Sequence, residues 1–77
     1  MKMPIFAVQD VLTGFKPPMI AANEEAMIRD YKLWAEKEAA SLDMRLFKIG
    51  EFNTETGEII PHTPDCIVGG IENGIQN

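Results

Sequence analysis

Apolar and polar positions follow different periods along the chain, and each change of period predicts an element. Met3-Pro4-Ile5-Phe6-Ala7-Val8 is a short apolar run closed by Gln9-Asp10. Its length and bulky side chains predict a buried strand over residues 3 to 9. Residues 10 to 22 hold Asp10, Thr13, Gly14 and the pair Pro17-Pro18. Adjacent prolines offer no backbone donor and keep the chain extended, which predicts a loop with Met19-Ile20-Ala21 as a brief extended stretch. The period then lengthens. Met27, Ile28, Tyr31, Trp34, Ala35 and Ala39 recur at i, i+3, i+4 and i+7, one apolar stripe on a helix over residues 23 to 41. Asn23 is a good N-cap, and Glu24 and Glu25 fall in the first turn, where the helix dipole favours negative charge. On the other side, Glu25–Arg29 and Lys32–Glu36 are opposite-charge pairs at i,i+4, worth about 0.2–0.5 kcal/mol each. Leu33 lies off the stripe, either an ordinary exposed leucine or the edge of a contact surface.

Past the helix, Met44 to Phe52 reads as a strand, Asn53-Thr54-Glu55-Thr56-Gly57 as a loop and Glu58-Ile59-Ile60 as a return strand. This predicts a hairpin over residues 44 to 60, with Gly57 supplying the positive φ of the turn. Pro61 and Pro64 are expected to end regular pairing. Residues 61 to 77 then form a tail, either a strand or turn docked on the sheet or a frayed, partly disordered end. The fold class is therefore α+β: a small single domain with an antiparallel or mixed sheet of three to four strands and one amphipathic helix packed on one face.

The chain has 77 residues and a mass of 8.6 kDa, enough for one domain. Its core is small, so self-association is a natural source of further stability, and a homo-oligomer is expected. No apolar run approaches the roughly 20 residues of a bilayer-spanning helix, so no membrane partner is expected. The start, with one basic residue and an apolar run broken at Gln9-Asp10, does not read as a secretory signal. The single cysteine, Cys66, can form no internal disulfide, which fits a reducing compartment.

Catalytic parts are scarce. His62 and Cys66, separated by three residues, offer half of a zinc site or a thiol beside an imidazole, but a closed zinc site takes four ligands. A second chain would have to supply the rest. The plainer reading is a loop histidine beside a buried thiol acting as a small hydrophobe. Asp43, Glu51, Glu55, Glu58 and Asp65 read as a solvated acidic face, and the glycines match neither a dinucleotide fingerprint nor a phosphate loop. The expectation is a protein that is not an enzyme and carries no cofactor.

Net charge is −5, and it is uneven. Residues 1 to 22 carry +1, residues 23 to 42 carry −2 and residues 43 to 77 carry −4. Strong nonspecific DNA binders are usually basic, so avid binding of that kind is disfavoured. A local patch remains open, because Lys2, Arg45 and Lys48 would cluster if their strands were neighbours. Phe6, Phe15, Phe47, Phe52, Tyr31 and Trp34 are the rings available to stack on bases; their spacing puts all but Phe15 in the core.

Three segments carry a family pattern. They are Ile5-Phe6-Ala7-Val8-Gln9-Asp10; Pro17-Pro18-Met19-Ile20-Ala21-Ala22-Asn23-Glu24 leading into Ala26-Met27-Ile28-Arg29; and Leu46-Phe47-Lys48-Ile49-Gly50-Glu51-Phe52-Asn53-Thr54-Glu55-Thr56-Gly57. The chain resembles the small nonstructural protein of gokushovirus-type microviruses, phages with circular single-stranded DNA genomes. The hairpin motif is the most specific part, and the resemblance covers residues 3 to 62. It implies a non-enzymatic protein of the infected bacterium's cytoplasm, described as DNA-binding and assigned to viral single-stranded DNA synthesis or its control. Arg29 and Lys48 match the family's helix and hairpin motifs and become candidate DNA contacts through the resemblance. Arg45, Lys2 and Lys16 are candidates on charge alone. The alternative is a homo-oligomeric adaptor that binds the phage replication initiator or a host protein, since an acidic surface suits a basic, DNA-handling partner.

Overall fold

Residues 1–69 are described by the computed structural model. Along them run β1 (Lys2–Asp10), β2 (Gly14–Phe15), β3 (Met19–Ile20), α1 (Glu24–Ala35), a 3-10 helix (Ala39–Asp43), β4 (Met44–Asn53) and β5 (Ile59–Val68). Pairing is antiparallel throughout. The strand order is β2-β1-β4-β5, with β3 also on β1. The result is the expected α+β domain, a sheet with one helix, with two short strands beside three long ones.

The apolar run near the start becomes the middle of the sheet. Val8 stands opposite Leu46, which in turn stands opposite Val68. These three join Phe6, Tyr31 and Met44 in one core, in which Phe6 and Leu46 are fully buried. Because side chains alternate along a strand, Ile5 and Ala7 project from the other face. They are buried as well.

The expected loop over residues 10 to 22 folds back along β1. Asp10 Oδ1 accepts from the Leu12 amide at 2.9 Å, and the returning chain pairs Phe15 with Gln9 and then Ile20 with Ile5. Pro17-Pro18 falls between the two short strands, where no ladder donor is needed.

Asn23 caps α1, its side-chain oxygen accepting from the Ala26 amide at 2.8 Å. The helix ends at Ala35, short of the expected Ser41. Glu38 leaves the helical region at φ −118°, ψ 111°, and the buried Ser41 donates its hydroxyl to the Ala35 carbonyl at 2.9 Å. A side chain outside the helix thus satisfies one of its terminal carbonyls. Tyr31 is the buried residue of the stripe, with Met27, Ile28 and Ala35 packed beside the core. Trp34, expected in the core, is 40% exposed, and Ala39 is exposed. Periodicity shows the direction of the stripe but not how much of it the rest of the chain covers.

Pro61 and Pro64 do not end pairing: residues 61 to 68 belong to β5, not to a tail. Two conditions allow it. β5 is an edge strand, and the register between Lys48–Asp65 and Gly50–Pro61 shifts so that β5 carries extra residues there. Edges and bulges are where a strand tolerates proline. Opposite this irregularity, a Cβ on Gly50 would lie 2.5 Å from the Ile60 carbonyl oxygen, so only glycine lets the two backbones approach. The rest of the expected tail, residues 70 to 77, lies outside the described residues.

The turn of the hairpin forms as expected. Asn53 Oδ1 accepts from the amides of Glu55 and Thr56, the Gly57 amide donates to the Asn53 carbonyl, and Gly57 has φ +80°. That geometry accounts for Asn53 and Gly57 of the hairpin motif by backbone need alone.

Candidate nucleic-acid interface

The five candidate cations fall apart in space. Arg45 and Lys48 are three positions apart on β4, an odd spacing that sends their side chains to opposite faces. Lys48 shares the parity of the buried Leu46 and stands opposite Phe6 on one side and Asp65 on the other. It therefore belongs to the helix side, beside an acid. Arg29 lies exposed on α1, its Nε 3.3 Å from Asp30 Oδ1. Lys2 pairs with Asn53 at the far end of β1, seven residues or roughly 23 Å along the strand from Gln9. The cluster of Lys2, Arg45 and Lys48 does not form.

What the fold does assemble is a row on the face away from the helix. Gln9 sits between Phe15 on β2 and Arg45 on β4, both in direct register with it. One step along β4, Phe47 pairs with Ala7 and meets Phe15 edge to face, ring centroids 5.3 Å apart at 69°. Phe15 is 49% exposed, and Phe47 is half-buried beneath it. Arg45 is half-buried and already engaged. Lys16 is exposed and follows Phe15, its amide bonded to the Val8 carbonyl at 2.8 Å, which fixes the backbone at this corner. The arrangement offers a half-exposed ring, a polar amide and the Arg45 cation on one face at one end of the sheet, with Lys16 at the adjoining corner. A stacked base and its phosphate need those groups.

Sequence reasoning singled out Phe15 as the ring outside the core, and the structure leaves it so. It placed Phe47 in the core and did not consider Gln9. Phe47 was readable, because the strand period puts residues 45 and 47 on one face, whereas Gln9 joins them only through the register of β1 with β4.

The residues set aside for zinc lie elsewhere. His62 Nε2 is 3.8 Å from Glu51 Oε1, and Cys66 on β5 is exposed rather than a buried thiol. Among the described residues no three His, Cys, Asp or Glu side chains gather as a metal group. No described helix is long and apolar enough to cross a membrane.

Residues 3–73 match the family described as Phage ORF5 protein. The chain belongs to that family. No curated protein and no solved structure matches it. The match covers every described element except Lys2, the first residue of β1.

Proposed function

We propose that this Phage ORF5 family member is a non-enzymatic nonstructural protein of a gokushovirus-type microvirus. It acts in the cytoplasm of the infected bacterium in viral single-stranded DNA synthesis or its control, and it contacts single-stranded DNA through the face carrying Phe15, Phe47, Gln9 and Arg45. The observation behind the contact is the half-exposed Phe15 ring, braced edge-on by Phe47 and in one row with Arg45. Stacking contributes about 1–3 kcal/mol per base and tolerates any base. That lets an acidic protein hold a single strand with few phosphate contacts. Duplex DNA keeps its bases stacked inside and gains nothing from Phe15.

One cation on that face, Arg45, gives a log–log salt slope of about −0.7, hence about a 2.6-fold loss of affinity between 50 and 200 mM salt. Fluorescence anisotropy with a single-stranded oligonucleotide and a matched duplex tests this. The expected result is micromolar binding of the single strand with that shallow slope, weakened by Arg45→Glu and unchanged by Lys48→Glu. Equal effects of the two reversals, or no binding at low salt, would overturn the assignment.

The second reading, an adaptor that binds protein, draws support from a different surface, the exposed apolar side of α1 around Trp34.

A further inference from the structure

On the helix side, Val8, Met19, Met27, Asp30, Tyr31 and Trp34 line an open cavity of about 230 Å³. Its walls are apolar, with Asp30 as the charged residue among them. Residues 27, 30, 31 and 34 form one stripe of α1, and Met19 faces them from β3, in register with Phe6. The Trp34 ring tilts against Tyr31 at 5.6 Å, and Leu33 and Ile20 stand exposed nearby in sequence. Methionines give such a groove an adaptable lining, and a tryptophan in the middle is a common energetic anchor.

We infer that this groove docks a protein segment bearing one large apolar side chain followed by a lysine or arginine, the apolar group seated between Met19, Met27 and Trp34 and the cation at Asp30. Charge selects the partner. The chain carries −5 overall, and α1 adds Glu24 and Glu25 in its first turn beyond Asp30. On α1 the exposed acids Glu24, Glu25 and Asp30 outnumber the exposed Arg29 and Lys32, and two copies at −5 each repel overall, whereas a basic segment meets net complementary charge. The Arg29–Asp30 pair does not oppose this, since both side chains are more than half exposed and exposed pairs contribute little. The groove lies on the face opposite the Phe15 row, so the inference does not depend on DNA binding.

Trp34 is the single tryptophan of the chain, so its emission reports directly on the groove. The full chain is titrated with an amphipathic peptide of leucine and lysine, with a leucine–glutamate peptide and a lysine–glycine peptide alongside. The expected result is a saturable blue shift with the leucine–lysine peptide alone. Asp30→Lys should weaken it about tenfold, the equivalent of 1.4 kcal/mol, and Met19→Asp should abolish it, both variants keeping the wild-type circular dichroism. Equal affinity for the leucine–glutamate peptide, or indifference to Asp30→Lys, would overturn the inference. So would a blue shift that grows with protein concentration alone together with a dimer mass on sedimentation, which would make the occupant a second copy. Quenching of Trp34 by single-stranded DNA without peptide would also overturn it, by placing nucleic acid in the groove.

Discussion

The two faces of the central strands are built from similar side chains and are covered differently. On the helix side, Phe6, Val8 and Leu46 are buried in one cluster with Tyr31 and Met44. On the other side, Ala7 is buried, but its neighbours Phe47 and Phe15 carry aromatic surface outward to a half-exposed ring. What separates the faces is the cover above them. A helix lies over one, and nothing among the described residues lies over the outer side of Phe15. The same hydrophobic chemistry therefore stabilises the fold on one face and remains available for recognition on the other.

The largest expected effect is on the helix side. Leu46→Ala should cost about 2–5 kcal/mol, the range for emptying a closed core site. For a domain of this size, at about 0.05–0.15 kcal/mol per residue, that is a large share of total stability. Trp34→Ala should cost less, roughly 1–2 kcal/mol, because much of that ring already meets water. Urea denaturation of both variants checks the order. A Trp34 loss as large as that of Leu46 would mean the groove is closed in solution.

Next is the seam between β4 and β5. Gly50→Ala drives a methyl against the Ile60 carbonyl and should cost about 1–3 kcal/mol. A loss under about 0.5 kcal/mol in the same denaturation series would show that the edge strand gives way easily.

A smaller effect, of opposite sign, is expected at Tyr31. Its hydroxyl is buried without a hydrogen-bond partner. Burial, with a lesser contribution from charge on Cys66, raises its pKa above 10.0. Burial thus favours the neutral phenol. Its contribution to stability is complete below pH 10, the unfolded value, and is lost as pH rises from there through the raised folded value. Tyr31→Phe should be neutral or stabilising by up to about 1 kcal/mol at pH 7, and it should flatten the alkaline limb of a stability–pH profile. A clear destabilisation at neutral pH would mean the hydroxyl has a partner after all.

Much of this was legible in the sequence where the cause is local. Asn23 caps the helix because its side chain reaches an amide three residues on, and Gly57 turns the hairpin because the loop needs positive φ. Both causes lie within a few residues of the signal. The open face was half legible: strand parity alone separates Arg45 from Lys48 and joins Arg45 to Phe47, but adding Gln9 and Phe15 requires the register with β1. The prolines of β5 were misread because their tolerance depends on β5 lying at the edge. The exposure of Trp34 was hidden for a related reason, since a stripe shows which way a helix faces and not how far the cover extends. Gly50 reads as an ordinary glycine until the Ile60 carbonyl is placed beside it.

The proposed function turns on contact between the half-exposed Phe15 ring and single-stranded DNA. Its most direct measurement is anisotropy of a fluorescent single-stranded oligonucleotide with wild-type protein and Phe15→Ala, at matched low salt. The account predicts that Phe15→Ala keeps the wild-type melting temperature within a few degrees and loses about 5- to 150-fold in affinity, the equivalent of one stacked base. Undiminished binding by the folded variant would contradict it.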